Sequence, residues 1–261
     1  MTIRFIKWND WEAIECTFDK YELIVGVSAG PRILSFGFKG GKNVLYEDHT
    51  NFRIGEWRMY GGHRFTIAPE NNESYYPDNE PCDVNITGTS ISISQKQRSN
   101  GIRLSITISM SAKKGGFDIL HTLENYGSAK WEGALWAITC VPRSAQLFAL
   151  CDTSALHFWL GTDPSKWEHA LKQVTVKPGS FRGKIGWYCE LPTLKAIQQQ
   201  DVLIITNPDL YNPDLCIDNG SNTEIFVCAD YAELETLSEK LIVAPGKSAN
   251  HLQYWRLEKT L

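Results

Sequence analysis

The sequence predicts an all-β fold in which layers of antiparallel strands form a β-sandwich around one hydrophobic core. Apolar and polar residues alternate with a period of two over much of the chain, which is typical of half-buried strands. Helix signals are few: Asp163-Pro164 resembles a helix start, and residues 193–199 allow one or two turns. The 261 residues, 43% of them hydrophobic, suffice for a large core without disulfide bonds.

The first half of the chain divides into short strands joined by turn residues rich in glycine, asparagine and lysine. Two hairpins are expected, followed by a three-stranded antiparallel meander whose strands have one dry and one wet face. The hairpins pair 12–18 with 21–27 and 32–38 with 43–46, and the meander comprises 84–95, 102–111 and 117–124.

The second half adds further strands and one short helix, predicted over residues 165–171 behind the Asp163 cap. About fourteen strands with almost no helix favour a β-sandwich, and we expect a single domain over residues 1–261 because no linker or repeat interrupts it. The strands are expected at 132–141, 155–160, 172–177, 185–191, 202–206, 223–229, 231–237 and 251–258.

The composition of the chain limits which binding partners and which cellular compartment we expect. The net charge of −4 and the lack of a Lys/Arg cluster argue against a nucleic-acid partner. No apolar run is long enough for a membrane span, and no signal peptide is evident, so no membrane partner and a cytoplasmic location are expected. Seven cysteines without CxxC spacing indicate buried thiols, and the absence of metal-ligand or nucleotide-binding motifs predicts neither a metal nor a cofactor.

Residues 56–83 break the alternation and contain Gly61-Gly62-His63-Arg64. An imidazole titrates near neutrality and can exchange a proton, while a guanidinium can grip hydroxyls or a carboxylate. In an alternating strand these neighbours would face opposite sides, unless the glycines make a bulge. A core histidine and a structural arginine are the alternative interpretation.

The same segment continues with Tyr75-Tyr76-Pro77-Asp78-Asn79. Rings beside short polar groups suit a sugar, whose C–H faces stack on aromatic rings while its hydroxyls hydrogen-bond to carboxylates and amides. Tyr76, Asp78 and Asn79 are therefore candidate binding residues. An ordinary Pro-Asp-Asn turn explains the motif equally well.

Glu233 and Glu235 lie two residues apart in the apolar strand expected at 231–237, so their side chains share one face. If that face is concave and partly buried, repulsion and desolvation would raise one carboxyl pKa toward a value useful for proton transfer. A solvated outer face is the alternative.

In their order along the chain, these features resemble the galactose mutarotase-like superfamily, which includes aldose 1-epimerases. The likeness is specific at the two ends. It rests on residues 29–36 (Ala-Gly-Pro-Arg-Ile-Leu-Ser-Phe), 41–45 (Gly-Lys-Asn-Val-Leu), 233–236 (Glu-Leu-Glu-Thr), 245–248 (Pro-Gly-Lys-Ser) and 255–257 (Trp-Arg-Leu). The Gly-Gly-His-Arg, Ala-Pro-Glu and Tyr-Pro-Asp-Asn series resembles an uncharacterised bacterial branch more than the true epimerases, and adds Glu70 to the candidate binding residues.

The resemblance implies a β-supersandwich of antiparallel sheets with few short helices, whose concave face binds a carbohydrate. It implies that Glu235 takes the proton of the anomeric hydroxyl and that Arg64 binds the sugar. The family's acid histidine is replaced, because residues 134–139 read Ala-Leu-Trp-Ala-Ile-Thr and put Trp136 at its position. An indole cannot donate a labile proton as imidazolium does, so either His63 is the acid or the pocket binds sugar without turnover.

Lys184 and Asp218 are weaker candidates for the rim of the pocket, where a lysine could pair with an acidic or phosphorylated sugar. A solvated strand end is the alternative for Lys184. The favoured partner is a small carbohydrate, and the favoured enzyme is an aldose 1-epimerase. A non-catalytic sugar-binding module using Trp57, Tyr76 and Trp136, a hydrolase or lyase on the same frame, and a scaffold without a ligand remain as alternatives.

Overall fold

The computed structural model describes residues 1–9, 11–111, 115–151, 155–170 and 172–260. These residues form antiparallel strands and three 3₁₀ helices, at Asn72–Tyr75, Pro164–Lys166 and Pro213–Leu215. None of the described helices is long and apolar enough to cross a membrane. The strands are β1 (Thr2–Trp8), β2 (Trp11–Phe18), β3 (Tyr21–Gly26), β4 (Arg32–Phe38), β5 (Arg53–Ile54), β6 (Trp57–Arg58), β7 (His63–Ala68), β8 (Asp83–Thr87), β9 (Ser90–Ser94), β10 (Ile102–Met110), β11 (Phe117–Asn125), β12 (Trp131–Pro142), β13 (Gln146–Leu150), β14 (His157–Phe158), β15 (Trp167–Ala170), β16 (Gln173–Val176), β17 (Gly183–Trp187), β18 (Thr193–Gln198), β19 (Asp201–Thr206), β20 (Thr223–Val227), β21 (Tyr231–Leu237), β22 (Leu241–Val243) and β23 (Ser248–Lys259).

Two large sheets contain nearly all of these strands. The first sheet has the order β1-β2-β3-β4-β7-β12-β21-β20-β17-β14, with β22 paired to β12. The second has the order β15-β16-β13-β18-β19-β23-β11-β10-β9-β8, and β5 pairs with β6 in a separate hairpin. Because β7, β12, β21, β20 and β17 are neighbours in the first sheet, residues far apart in sequence share its central surface.

The core lies between the two sheets. Phe36 of the first sheet packs against Phe117 and Trp255 of the second, with ring centroids 5.9 and 5.6 Å apart. On β11, buried and half-buried residues alternate along the whole strand, as the period-two pattern predicts. On β12, nearly every residue is buried, because a second apolar cluster that includes Trp57, Met59 and Trp136 covers its outer face.

The predicted all-β class and most strand positions are confirmed, including the first hairpin and the meander. Residues 84–95 form two strands instead of one, because Gly88 adopts a φ of +58° and turns the chain between β8 and β9. Residues 43–46 do not pair as a strand. The Asn43 side chain accepts from the N–H groups of Phe36 and Leu45, and the Val44 N–H still donates to the Phe36 carbonyl at 2.9 Å.

Two helix predictions are wrong, and the segment that breaks the alternation contains a regular strand. Residues 193–198 are strand β18, which pairs with β13 and β19 in the second sheet. Asp163 caps a helix as expected, accepting from the N–H of Ser165, but the helix ends at Lys166 and the chain continues as β15. The last predicted residue, Leu171, lies outside the described residues. The irregular segment 56–83 contains β7, a central strand of the first sheet.

Candidate functional site

A cavity of about 360 Å³ lies on the outer face of the first sheet, on the side opposite the core. Its floor is formed by outward-facing side chains of β7, β12, β21, β20 and β17, whose sequence neighbours Phe65, Leu234 and Ile185 point into the core. Two connections flank the mouth: the segment from Phe52 to Trp57, and the loop from Trp159 to Thr162. Sheet order therefore brings five separate parts of the sequence to one hollow.

A three-residue charge cluster lies at one side of this floor. Lys184 Nζ lies 2.6 Å from Glu224 Oε2 and 3.0 Å from Glu235 Oε2, and both glutamate side chains are fully buried. The indole Nε1 of Trp136 donates to the same Glu235 oxygen at 2.8 Å. Glu235 Oε1 has no hydrogen-bond partner in the described part of the chain. It is therefore a buried acceptor at the cavity without a protein donor.

Burial and charge shift the pKa values in this cluster in opposite directions. Burial lowers the pKa of Lys184, but the carboxylates of Glu235 and Glu224 raise it by more, so Lys184 stays an ammonium. Burial raises the pKa of Glu224 well above its ordinary value, with Lys184 opposing and Glu235 adding to that rise. Asp218 lies beside Glu224, and burial raises its pKa too. The positive charge of Lys184 thus offsets the negative charge of the neighbouring carboxyl groups.

Glu233 faces the cavity next to this cluster. The thiol of Cys140 on β12 donates to this glutamate, with the sulfur 3.7 Å from Glu233 Oε1. Burial and the charge of Glu235 raise the pKa of Glu233 to about 7, while Arg64 and Lys184 lower it. A carboxyl with such a pKa exists in both protonation states at neutral pH.

Aromatic rings form the cavity walls and support its cations. The Arg64 guanidinium lies 4.8 Å from the ring centre of Trp57 and 5.5 Å from that of Tyr75. Lys184 Nζ lies 4.6 Å from the Trp136 ring and 5.1 Å from the Trp159 ring. Such cation–π contacts hold the charged ends in place without neutralising them.

Six of the predicted site residues line this cavity: Arg64, Glu70, Trp136, Lys184, Glu233 and Glu235. Trp57, expected as a stacking surface, lines it as well. Glu70 accepts a hydrogen bond from the Tyr75 hydroxyl at the edge of the cavity. Glu233 and Glu235 share the cavity face, while their neighbours Ala232 and Leu234 are buried in the core, as the alternation predicts.

The structure does not bring His63 to the cavity, which corrects the expectation that it serves as the acid. The residue is fully buried and faces the second sheet, since β7 continues as a regular strand and Arg64 takes the cavity side. Its Nε2 lies 2.7 Å from Nε2 of His121, and its Nδ1 lies 2.9 Å from the Thr139 hydroxyl. This placement agrees with the alternative interpretation, in which His63 is a core histidine.

Tyr76, Asp78 and Asn79 also lie away from the cavity, around a separate hollow. Asp78 forms an ion pair with the buried Arg32, at 2.9 Å, and Tyr76 stacks under the guanidinium of Arg98. These contacts give Tyr76 and Asp78 a structural explanation, although residues 76–79 run as irregular chain and do not form the expected Pro-Asp-Asn turn. Asp218 lies behind Lys184, next to Glu224, and does not line the cavity.

Sequence reasoning missed several residues of the site, including Glu224, Arg182 and Trp159. Glu224 carries the same signal as Glu233, a carboxylate inside an apolar strand, and could have been found by it. Arg182 precedes β17, where its guanidinium stacks on the ring of Phe226 at 4.7 Å. The residues at the mouth of the cavity carry no comparable signal in the sequence. The missed lining residues are Phe52, Ile54, Tyr75, Trp159, Leu160, Gly161, Thr162, Arg182, Gly183, Phe226 and Tyr231.

Comparison with known proteins identifies the fold. No family model and no curated protein matches the sequence. Among solved structures, a galactose mutarotase-like protein from Lactobacillus casei matches at a TM-score of 0.62 and 10% identity, covering 94% of this chain and 100% of the other. A candidate aldose 1-epimerase from Escherichia coli K12 matches at a TM-score of 0.66 and 12% identity, covering 94% and 98%.

A galactose mutarotase related enzyme from Lactobacillus acidophilus also matches, at a TM-score of 0.61 and 6% identity, covering 95% of this chain and 97% of the other. These matches confirm the distant likeness to mutarotase-like proteins and the antiparallel β-sandwich that the sequence predicts. At such low identities the likeness concerns the fold, and the chemistry must be argued from the site itself.

Proposed function

We propose that this protein binds a carbohydrate in the cavity on the outer face of the first sheet. The observation that carries the proposal is that buried charged atoms without protein partners lie among aromatic rings. Glu235 Oε1 and Arg64 Nε form no hydrogen bond within the described residues, and both side chains line the cavity. Sugar hydroxyls supply donors and acceptors, and sugar C–H faces stack on indole and phenol rings.

Titration calorimetry with α-D-glucose, α-D-galactose and D-glucuronate tests this proposal. Trp159→Ala should weaken binding by about tenfold, because a half-buried ring of the cavity wall is lost. Trp8→Ala is the matched control, since Trp8 lies on β1 at the far edge of the sheet, and it should leave the affinity unchanged. The absence of heat with every sugar of a broader mono- and oligosaccharide panel would contradict the proposal.

The second candidate function is interconversion of sugar anomers, the activity of an aldose 1-epimerase. Two carboxyl groups on one strand face favour it, because ring opening needs one group that accepts a proton and another that donates one. A candidate aldose 1-epimerase and a galactose mutarotase related enzyme are among the structural matches, and polarimetry on freshly dissolved α-D-glucose and α-D-galactose measures this activity directly.

A further inference from the structure

The two carboxylates of β21 that face the cavity are held very differently. Glu235 is fully buried and bound by Lys184 and the Trp136 indole. Glu233 is partly exposed, and within the described chain it forms no ion pair; its polar contact is the weakly donating thiol of Cys140. Of the two β21 carboxylates, Glu233 is therefore the one that is open to the cavity and has no counter-ion among the described residues.

Every element around Glu233 contributes to its protonation state. The apolar surface next to it includes Phe226 of β20, its register partner. Burial and Glu235 favour the protonated form, whereas the cations oppose it, and the pKa of Glu233 rises to about 7. The titratable and charged groups that face it are Arg64 from β7, Cys140 from β12, Tyr231 and Glu235 from its own strand, Lys184 from β17 and Tyr75 from the 3₁₀ helix.

We propose that Glu233 is the catalytic acid of sugar ring opening, in a site where no histidine reaches the cavity from the described residues. The inference rests on the proposed binding of a reducing sugar and on the interconversion of its anomers. It assigns the proton donor to a carboxyl group two residues before the expected base. On one strand face, residues i and i+2 are about 7 Å apart, which allows them to contact two different oxygens of one sugar ring.

The proton transfers balance without a cofactor. The Glu233 carboxyl donates its proton to the ring oxygen as the bond between that oxygen and the anomeric carbon breaks, and the bonding electrons stay on the oxygen. The Glu235 carboxylate takes the proton of the anomeric hydroxyl, whose electrons form the carbonyl of the open-chain aldehyde. Rotation about the C1–C2 bond and the reverse transfers close the ring as the other anomer and restore both glutamates.

The charge cluster accommodates this cycle. When Glu235 gains a proton, the Lys184 ammonium keeps its 2.6 Å contact with Glu224 and its contacts with the rings of Trp136 and Trp159. The transient charge of Glu233 after it donates lies near Arg64, whose charge favours the carboxylate form. Each glutamate therefore has a cation near it when it is charged.

The test compares wild type, Glu233→Gln, Glu233→Asp and the control Glu190→Gln, which changes an exposed residue outside the cavity. Polarimetry with α-D-glucose and α-D-galactose gives rates between pH 5.5 and 8.5, and calorimetry gives the affinity. The wild-type rate should fall as pH rises through about 7, because the acid must be protonated. Glu233→Gln should lose about 10²–10⁴-fold in rate and lose this alkaline fall, while it still binds sugar.

Glu233→Asp retains a carboxyl and should keep the alkaline fall at a reduced rate, which decides the question even if Glu233→Gln does not fold. Full activity of folded Glu233→Gln, or an unchanged alkaline fall in that variant, overturns the assignment and leaves sugar binding intact. A wild type that binds sugars but does not interconvert their anomers also overturns it. Absence of any binding overturns this inference together with the proposed function.

Discussion

At the scale of single residues, the site depends on one lysine that serves two buried carboxylates. A buried ion pair gains its attraction only after each charge has lost its water, so such pairs contribute little net stability. Removing one partner is a different matter, because the remaining charge stays buried without compensation. With Lys184 absent, the Trp136 indole would be the one donor left to Glu235 among the described residues.

Lys184→Met should therefore lower the free energy of unfolding by about 3–5 kcal/mol. The loss should be larger at pH 8 than at pH 5, because the abandoned carboxyls can be protonated at low pH and stay neutral. Urea denaturation at both pH values measures it. Lys195→Met is the matched control, since Lys195 is exposed on β18 and has no ion pair among the described residues. Equal losses of unfolding free energy in Lys184→Met and Lys195→Met would contradict this explanation.

At the scale of elements, strand β7 decides which side chains reach the cavity. Two glycines with positive φ, +81° at Gly61 and +67° at Gly62, lead the chain into it. A Cβ added at Gly62 would lie 2.1 Å from the backbone oxygen of Ile33 on β4. This close approach lets β7 join the sheet immediately, with His63 toward the core and Arg64 toward the cavity.

Gly62→Ala should destabilise the protein by about 2–3 kcal/mol, since it combines a left-handed backbone with a backbone clash. Gly88→Ala is the matched control: Gly88 has a φ of +58°, but a Cβ there meets nothing within 4 Å. That variant should lose only about 1–2 kcal/mol, the cost of the conformation alone. Thermal unfolding of the two variants measures the difference in stability. Equal losses of stability in Gly62→Ala and Gly88→Ala would show that the close approach to Ile33 adds no cost.

The elements also show what the sequence could predict and why the rest was out of reach. Alternation is a local property, so it predicted the strands and placed Glu233 and Glu235 on one face. The contact between Lys184 and Glu235 depends on the order β21-β20-β17, which no local pattern encodes. The 193–198 strand was missed because its apolar residues are too few to distinguish a period of two from a turn of helix.

At the scale of the whole molecule, both sheets contribute to a chain of neutral histidines beneath the cavity floor. The His251 carbonyl can only accept, so His121 Nδ1 donates to it at 2.8 Å, and His121 Nε2 must accept from His63 Nε2. His63 Nδ1 then accepts from the Thr139 hydroxyl. The sequence could not indicate this network, because its members come from β7, β11, β12 and β23 and meet only when the sheets pack.

The side chain of His251 is satisfied in the same neutral form. Gln253 donates to the Thr236 hydroxyl, which can then donate to His251 Nε2 at 2.7 Å. His251 Nδ1 lies 2.8 Å from the Tyr211 hydroxyl, which donates to Asp209. Thr236 and Glu235 are sequence neighbours on opposite faces of β21. The hydrogen bonds of Thr236 on the core side therefore hold in place the strand that carries the cavity carboxylates.

Protonation of these histidines should destabilise the folded protein. Burial lowers the pKa of His121 from 6.5 to about 4, and burial also lowers the pKa values of His63 and His251. A histidine with a lowered folded pKa contributes its full stability above the unfolded value, near 6.5, and loses it as pH falls toward the folded value. Glu233 and Glu224, whose pKa values are raised, take up protons in the folded state and offset part of this loss.

Comparison with His121→Gln isolates one histidine from these opposing groups, because the amide cannot be protonated. Below pH 6, the free energy of unfolding of wild type should fall more steeply than that of the variant, by about 1.4 kcal/mol per pH unit. Urea denaturation between pH 4.5 and 7.5 measures both slopes, with His169→Gln, an exposed position on β15, as the control that keeps the wild-type slope. Parallel profiles for wild type and His121→Gln would mean that His121 is protonated in the folded protein, contrary to the neutral hydrogen-bond chain.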